Sequence, residues 1–515
     1  MMSFDLLILN GYVIDGSGSR GKKSDVGITG DKITAIGNLS NRESKKVIDA
    51  AGLVVCPGFI DVHVHSELAL LGGKDQFAPL KMGVTTQLTG PDGFSWVPME
   101  NNRWLEMKEY LNVFYDYDIL PQDFNLIRSI EDYISLFTNR VPSNLVLQVP
   151  HGSIRGAVMG WENRKATEDE IKTMEGIVHK WMKAGAKAFC TGLEYEPTRH
   201  ADTNELIRLS KVAASYGGIY VAHQRGYMEN VNIGCTETFK ISREANIPVH
   251  ISHFTVTDEA QSLLDKAKAE GLDVTFDMYP YTAGCTHLMY ALPDSWQKGP
   301  PREILNRLAD KEIRSEIAEH VEQSLNMDRA IFASVGTPYP SGMEGKTLRE
   351  VYESSEKEFA DFICDLLLES NLQVLMVYHW PTENIPYLQQ TFKHDLHMVS
   401  TDGVYVGKKP HPRGFGTYPK VFRELVYENK VLSLEEAIYK MTGFPASRFQ
   451  IEHRGLLQKD YFADIIIFDS DTIDSNATFE NPRSDPKGIA HIIVNGKHVI
   501  EQGKINQIKS GRVIS

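Results

Sequence analysis

The feature that most constrains this chain is a rhythm. Between residues 58 and 403, short runs that read as strands alternate with longer stretches that read as helices. GFIDVHVH, VTTQLTG, LVLQVPHG, AFCTGL, IYVAHQR, PVHISHF, DVTFDMYPY and HMVSTDG make eight such runs. Most carry apolar residues at successive positions, the pattern of a parallel strand covered on both faces. The intervening helices are marked as clearly. Over Glu168 to Ala184, Thr167 and Glu170 form a capping box, Ile171, Met174, Val178 and Met182 share one face, and Gly185 stops the helix. Further helices are expected in TNELIRLSKVAASYG, TDEAQSLLDKAKAEG and SLEEAIYKMTG. Eight strand–helix units point to a (β/α)8 TIM-type barrel, although periodicity alone does not separate it from a doubly wound sheet. The long gap before the eighth strand, near residues 294 to 396, reads as a helical insertion over the barrel mouth.

The two ends speak a different grammar. Residues 1–57 and 454–515 are short strands punctuated by turns, as in FDLLILNGYVIDGSG and AHIIVNGKHVIEQGK. Alone, each end would have a very small core, so both are expected to build one small β-sandwich domain around the barrel of residues 58–453. The net charge of −14 argues against nucleic acid or an anionic membrane as partner and favours a small-molecule substrate. Five scattered cysteines without a Cys-x-x-Cys pair suggest neither a disulfide framework nor a Cys-rich zinc site. With no basic, cleavable leader and no apolar run of about 18 residues, a cytoplasmic protein is expected.

The chemistry lies at the strand ends. In the first strand Asp61, His63 and His65 alternate with Val62 and Val64, so the two imidazoles share a face. Buried imidazoles need partners, and a metal ion satisfies both compactly, as would ordinary core hydrogen bonds. The fifth strand ends in His223, the sixth in His253 and the eighth in Asp402. A barrel gathers these ends at one mouth. Four imidazoles and one carboxylate there form a nitrogen and oxygen ligand set suited to zinc.

PGFIDVHVH, GVTT, HGSIRGAVMG, TGLEYEP, MYPYTAG, STDG with HPRGFGTYP, MTGFPASRF and RGLLQKDYFADIIIFD together resemble the amidohydrolase superfamily, within it the N-acyl-D-amino-acid deacylase (D-aminoacylase) branch. The resemblance runs nearly end to end. It implies one or two zinc ions and hydrolysis of an N-acyl amide to a carboxylic acid and an amine. By position it implies that His63 and His65 hold one metal, that His223 and His253 hold the other, and that Asp402 is the general base. It also implies that Tyr195, Tyr279, Tyr281 and Arg413 lie near the substrate.

Two departures bear on specificity. Where that branch typically has a bridging Cys, this chain has Asp92 in Gly90-Pro91-Asp92-Gly93. Asp92 is expected to be a metal ligand, harder than sulfur and open to another divalent metal; the competing reading is a plain turn residue. Thr255 stands where a Lys commonly meets the substrate carboxylate, leaving Lys408, Lys409 or Arg413 to compensate. Equally, the substrate could be a cyclic amide, a lactone or an acylated natural product. Lys187 is not expected to serve as a carboxylated bridge, and a catalytically inactive binding protein is disfavoured because every expected ligand is present.

Overall fold

Each of the eight expected runs forms a strand, and parallel pairing carries them around a closed ring. A computed structural model describes residues 3–97, 101–117, 129–336 and 342–514. Phe59–Asp61 pairs with Val84–Leu88, which pairs with Asn144–Val146. The third strand continues as Gln148–Pro150 and pairs with Ala188–Gly192; Ile219–His223, Val249–Ile251, Val274–Met278 and His397–Val399 follow in order. The ring closes where Gly403–Val404, the extension of the eighth strand, pairs with Val64–His65 of the first. That last pairing separates a barrel from an open doubly wound sheet. Residues of these strands are almost entirely buried, because side chains fill the ring and helices cover its outside.

The covering helix Glu168–Lys183 begins as expected: Thr167 Oγ1 accepts from the Glu170 N–H, and the Glu170 carboxylate accepts from the Thr167 N–H at 2.8 Å. Ile171, Met174, Val178 and Met182 are buried against the sheet.

The insertion is not purely helical. Helices Pro301–Ala309, Ala318–Ser324, Leu348–Tyr352 and Phe359–Glu369 accompany a three-stranded antiparallel sheet of Ala283–His287, Val374–His379 and Ala330–Val335. Val377 of the central strand faces Cys285 on one side and Ile331 on the other. Such pairing joins segments far apart in the chain, so local periodicity carries no trace of it, and AGCTH by itself has little strand character.

The two ends meet as expected. Val54–Pro57 pairs antiparallel with Ile465–Phe468, joining both termini in one nine-stranded hydrogen-bonded sheet. Strand alternation splits its apolar residues between two faces. Ile465 and Ile467 pack with Ile8, Val26, Ile28 and Ile33 in the domain's own core, whereas Ile466 and Phe468 pack on Phe422 and Ile438 of the barrel's helical layer. A buried polar junction adds direction: Asp464 pairs with Arg454 and accepts from Asn144 Nδ2 at 3.0 Å. No helix among the described residues is long and apolar enough to cross a membrane.

Candidate metal centre

The strand ends converge as the barrel geometry requires. His63 follows Phe59–Asp61, His65 ends Val64–His65, His223 ends Ile219–His223, His253 lies two residues beyond Val249–Ile251, and Asp402 precedes Gly403–Val404. Asp92 enters from the turn Pro91–Gly93 after the second strand. All six side chains are buried or nearly so.

Asp92 occupies the centre. Its Oδ1 lies 3.5 Å from His63 Nε2 and 3.4 Å from His223 Nδ1, while Oδ2 lies 3.4 Å from His65 Nε2. Asp402 Oδ1 sits 3.5 Å from His63 Nε2 and 3.4 Å from His65 Nε2, and His253 Nε2 is 3.0 Å from His223 Nδ1. Three overlapping sets result, His63–His65–Asp92, Asp92–His223–His253 and His63–His253–Asp402, each with its ligand atoms within 4.8 Å of one another. Separations of 3.4–3.5 Å are long for hydrogen bonds. They match the spacing of roughly 3.4 Å between neighbouring ligands on a tetrahedral ion with bonds of about 2.1 Å. His63 Nε2 and Asp92 Oδ1 are buried with no hydrogen-bond partner. The donor set therefore fits a divalent cation.

Electrostatics points the same way. Burial disfavours charge on His65, yet Asp402 and Asp92 outweigh it and raise its pKa to about 9; Asp92 and Glu194 raise that of His223 to about 10 against the same opposition. Burial and the neighbouring His223 lower His253 to about 4. Burial also opposes ionisation of Asp92 and Asp402, but the histidines, and for Asp402 chiefly Arg413, hold both carboxyls well below the usual range. The cluster thus draws positive charge to its centre.

The backbone is bent to make this possible. Asp92 (φ 55°), His253 (φ 36°) and Asp402 (φ 46°) all lie in the left-handed region, which costs a non-glycine residue about 1–3 kcal/mol and concentrates at functional sites. Each bend is held. The Asp402 N–H donates to the His63 carbonyl at 2.8 Å, and the His253 N–H donates to Asp277 Oδ1 at 3.1 Å. The Asp92 turn rests on Gly192, where a Cβ would come within 2.4 Å of the Asp92 carbonyl. Asp92 is therefore both a turn residue and a member of the cluster.

The family model described as Amidohydro_3, amidohydrolase family, matches residues 46–500. The chain belongs to this amidohydrolase family. Among its relatives is the D-aminoacylase of Alcaligenes xylosoxydans xylosoxydans, 32% identical over 527 aligned residues that cover 99% of this chain and 98% of the relative. A solved D-aminoacylase structure, described as holding a binuclear metal center, superposes with a TM-score of 0.83 at 31% identity, covering 99% of this chain and all of that one. The N-acyl-D-glutamate deacylase of Bordetella bronchiseptica, solved with zinc and a phosphonate inhibitor, also gives 0.83, at 26% identity and full coverage of both chains.

Beside the cluster of this amidohydrolase lie three of the four expected substrate residues. Arg413 Nη2 pairs with Asp402 Oδ2 at 2.9 Å, and its guanidinium lies over the Tyr279 ring at 4.5 Å. Arg413 Nε and Nη1 are buried without a partner. The Tyr195 ring lies 4.9 Å from that of His223. Tyr281 is not brought to the centre; its ring packs on His411 at 5.2 Å beside Phe479. It lies on the loop between the end of the strand at Met278 and Ala283–His287. Of the compensating cations, Lys408 is exposed, Lys409 is engaged by the Glu480 carbonyl, and only Arg413 reaches the site. Lys187 precedes the fourth strand, at the end of the barrel away from the mouth.

Two supporting acids complete the site: Asp61, which shares the strand face of His63 and His65 but was given no role by sequence, and Asp277, which sequence did not single out. Asp61 Oδ1 accepts from the Thr401 N–H at 3.0 Å and Oδ2 from its hydroxyl at 2.6 Å, so Asp61 braces the loop of Asp402. Asp277 accepts from His250 Nε2 at 2.9 Å and from Ser400 Oγ at 2.5 Å as well as from His253. Both are carboxylates within otherwise apolar strands, a signal that such residues have dedicated partners. The Tyr115 hydroxyl lies 3.3 Å from His65 Nδ1, a contact with no signature in sequence.

Proposed function

We propose that this amidohydrolase is a zinc-dependent deacylase that cleaves the amide bond of an N-acyl-D-amino acid to a carboxylate and a free amine. The observation that carries the reading is the juxtaposition of the histidine–aspartate cluster with Asp402 and a buried, half-satisfied Arg413. His63 and His65 would hold one ion, His223 and His253 the other, with Asp92 facing both pairs. One or two Zn2+ ions would supply Lewis-acid polarisation of the scissile carbonyl and a water acidified toward neutral pH.

The remaining chemistry falls to the chain's own side chains. Asp402 is the general base: Arg413 holds its Oδ2 and keeps it ionised, leaving Oδ1 turned toward the cluster to take a proton from the attacking water. The same oxygen returns that proton to the departing nitrogen, which amide cleavage requires because an amide anion leaves poorly. Arg413 Nε and Nη1 are donors without partners, suited to a substrate α-carboxylate. Arg413 thereby supplies the cation that Thr255 does not, which favours an N-acyl amino acid over a cyclic amide or lactone. Tyr195 and Tyr279 flank the same space. A cytoplasmic location accords with the five cysteines, all free.

The test is amine release from matched N-acetyl-D- and N-acetyl-L-amino acids by protein supplied with zinc. Hydrolysis of the D series is expected. Failure of both series with metal-loaded protein would refute the reading and direct the search to cyclic amides, lactones and acylated natural products.

A further inference from the structure

One acidic residue at the edge of the centre has no place in the chemistry above. The fourth and fifth strands pair in parallel with Gly192 opposite His223, so Glu194, two residues further along, lies beside the His223 ring. Glu194 Oε2 is 3.0 Å from His223 Nε2, the nitrogen facing away from the cluster, while Nδ1 faces Asp92 and His253. The other carboxylate oxygen, Oε1, accepts from the Gly226 N–H at 3.0 Å. Both oxygens are thus engaged, one by the imidazole and one by the loop that follows it. Among the described residues, His223 is the only member of the cluster with a carboxylate on its outward nitrogen.

A neutral imidazole offers one lone pair and one N–H. For Nδ1 to present its lone pair to a cation, the proton must sit on Nε2, and a proton there needs an acceptor. We infer that Glu194 is a positioning residue that fixes His223 in the Nε2–H form, aims Nδ1 at the metal shared with Asp92 and His253, and raises its basicity. The inference rests on the metal-centre reading above and goes beyond it by making the two halves of the centre unequal. Among the described residues, neither His63 nor His65 has a carboxylate hydrogen-bonded to its outward nitrogen; that of His65 faces the Tyr115 hydroxyl. Partners of this kind are worth about 10–100-fold in metal affinity.

Two variants grade the loss. Glu194→Gln loses the negative charge and keeps one oxygen for the Nε2–H, with its amide NH2 turned to the Gly226 N–H, and Glu194→Leu loses the charge and both acceptors. The experiment is a Zn2+ competition titration against a chromogenic chelator, using metal-stripped wild type, E194Q and E194L, with the melting temperature of each stripped protein measured alongside. The expected result is a graded fall in affinity of one class of site, E194Q less than E194L and about 10–100-fold for E194L, with the other class unchanged. Wild type that binds zinc, together with folded E194L that binds it equally well, would overturn the inference alone. Wild type that binds no zinc would overturn the metal-centre reading and the inference with it. Should E194L melt early, E194Q carries the test: unchanged zinc affinity in that isosteric variant also overturns the role.

Discussion

Replacing Asp402 by Asn should separate catalysis from stability in one residue. The carboxylate does two things: Oδ1 faces His63 and His65 at 3.5 and 3.4 Å, and Oδ2 neutralises Arg413 at 2.9 Å. As general base it is worth about 10²–10⁴-fold in rate, or about 2.7–5.4 kcal/mol of barrier at 1.36 kcal/mol per tenfold. As ion-pair partner it compensates a guanidinium only 1% exposed. Removing one member of a buried pair costs about 3–5 kcal/mol. The retained amide oxygen and the Tyr279 ring at 4.5 Å place the expected loss near the lower end. D402N should therefore unfold at a lower urea midpoint and, while folded, release amine from an N-acetyl-D-amino acid with kcat down by at least about 10². The double variant D402N/R413M removes the stranded charge, so its midpoint should recover in part while kcat does not. Turnover by folded D402N within tenfold of wild type would refute the general-base assignment, and a double variant no more stable than D402N would refute the electrostatic account.

Asp92→Ala should cut bound zinc, measured by elemental analysis after dialysis, by about half or more, since Asp92 faces both histidine pairs; unchanged zinc would leave it a turn residue only. Zinc at 100 times its dissociation constant should stabilise wild type by about 2.7 kcal/mol, read as a higher melting temperature that a chelator reverses. Glu205→Gln should cost about 3–5 kcal/mol in urea unfolding, because Glu205 is the buried partner of both Arg155 and His151, the latter at 2.8 Å. Lys440 donates to the His394 and His397 carbonyls, and burial lowers its pKa from 10.5 to about 8. The unfolded chain then holds this proton more tightly than the folded one between pH 8 and 10.5, so stability should rise with pH across that window by about 3 kcal/mol, and Lys440→Met should lose that rise.

Legibility followed the range of the interaction. The eight strands and the helix after Thr167 were readable because burial on both faces and a capping box leave local patterns. The three-stranded sheet of the insertion was not, because Cys285, Ile331 and Val377 are neighbours only after folding. In the centre, His63, His65, His223, His253 and Asp402 announced themselves as polar residues at strand ends. Asp92 was visible only as a departure from a family pattern. Asp61, Asp277 and Glu194 bond to backbone and imidazole groups contributed by other strands, so a carboxylate in a largely apolar strand signals that Asp61 and Asp277 need partners but nothing near them in sequence says which. Tyr281 was expected near the substrate from resemblance alone, and a shared motif does not fix where a side chain packs on the loop beyond the strand's end at Met278.

Sequence by itself determined the donor types, their places at the ends of the first, fifth, sixth and eighth strands, and the two-ended β domain, because each is set by local composition and by alternation along one strand. Tertiary structure decided that the ring closes between Val64–His65 and Gly403–Val404. It also decided that Asp92 turns inward against Gly192 and that Arg413, rather than Lys408 or Lys409, reaches Asp402. These depend on angles and distances of a few ångströms between distant segments, and only the packed chain sets them.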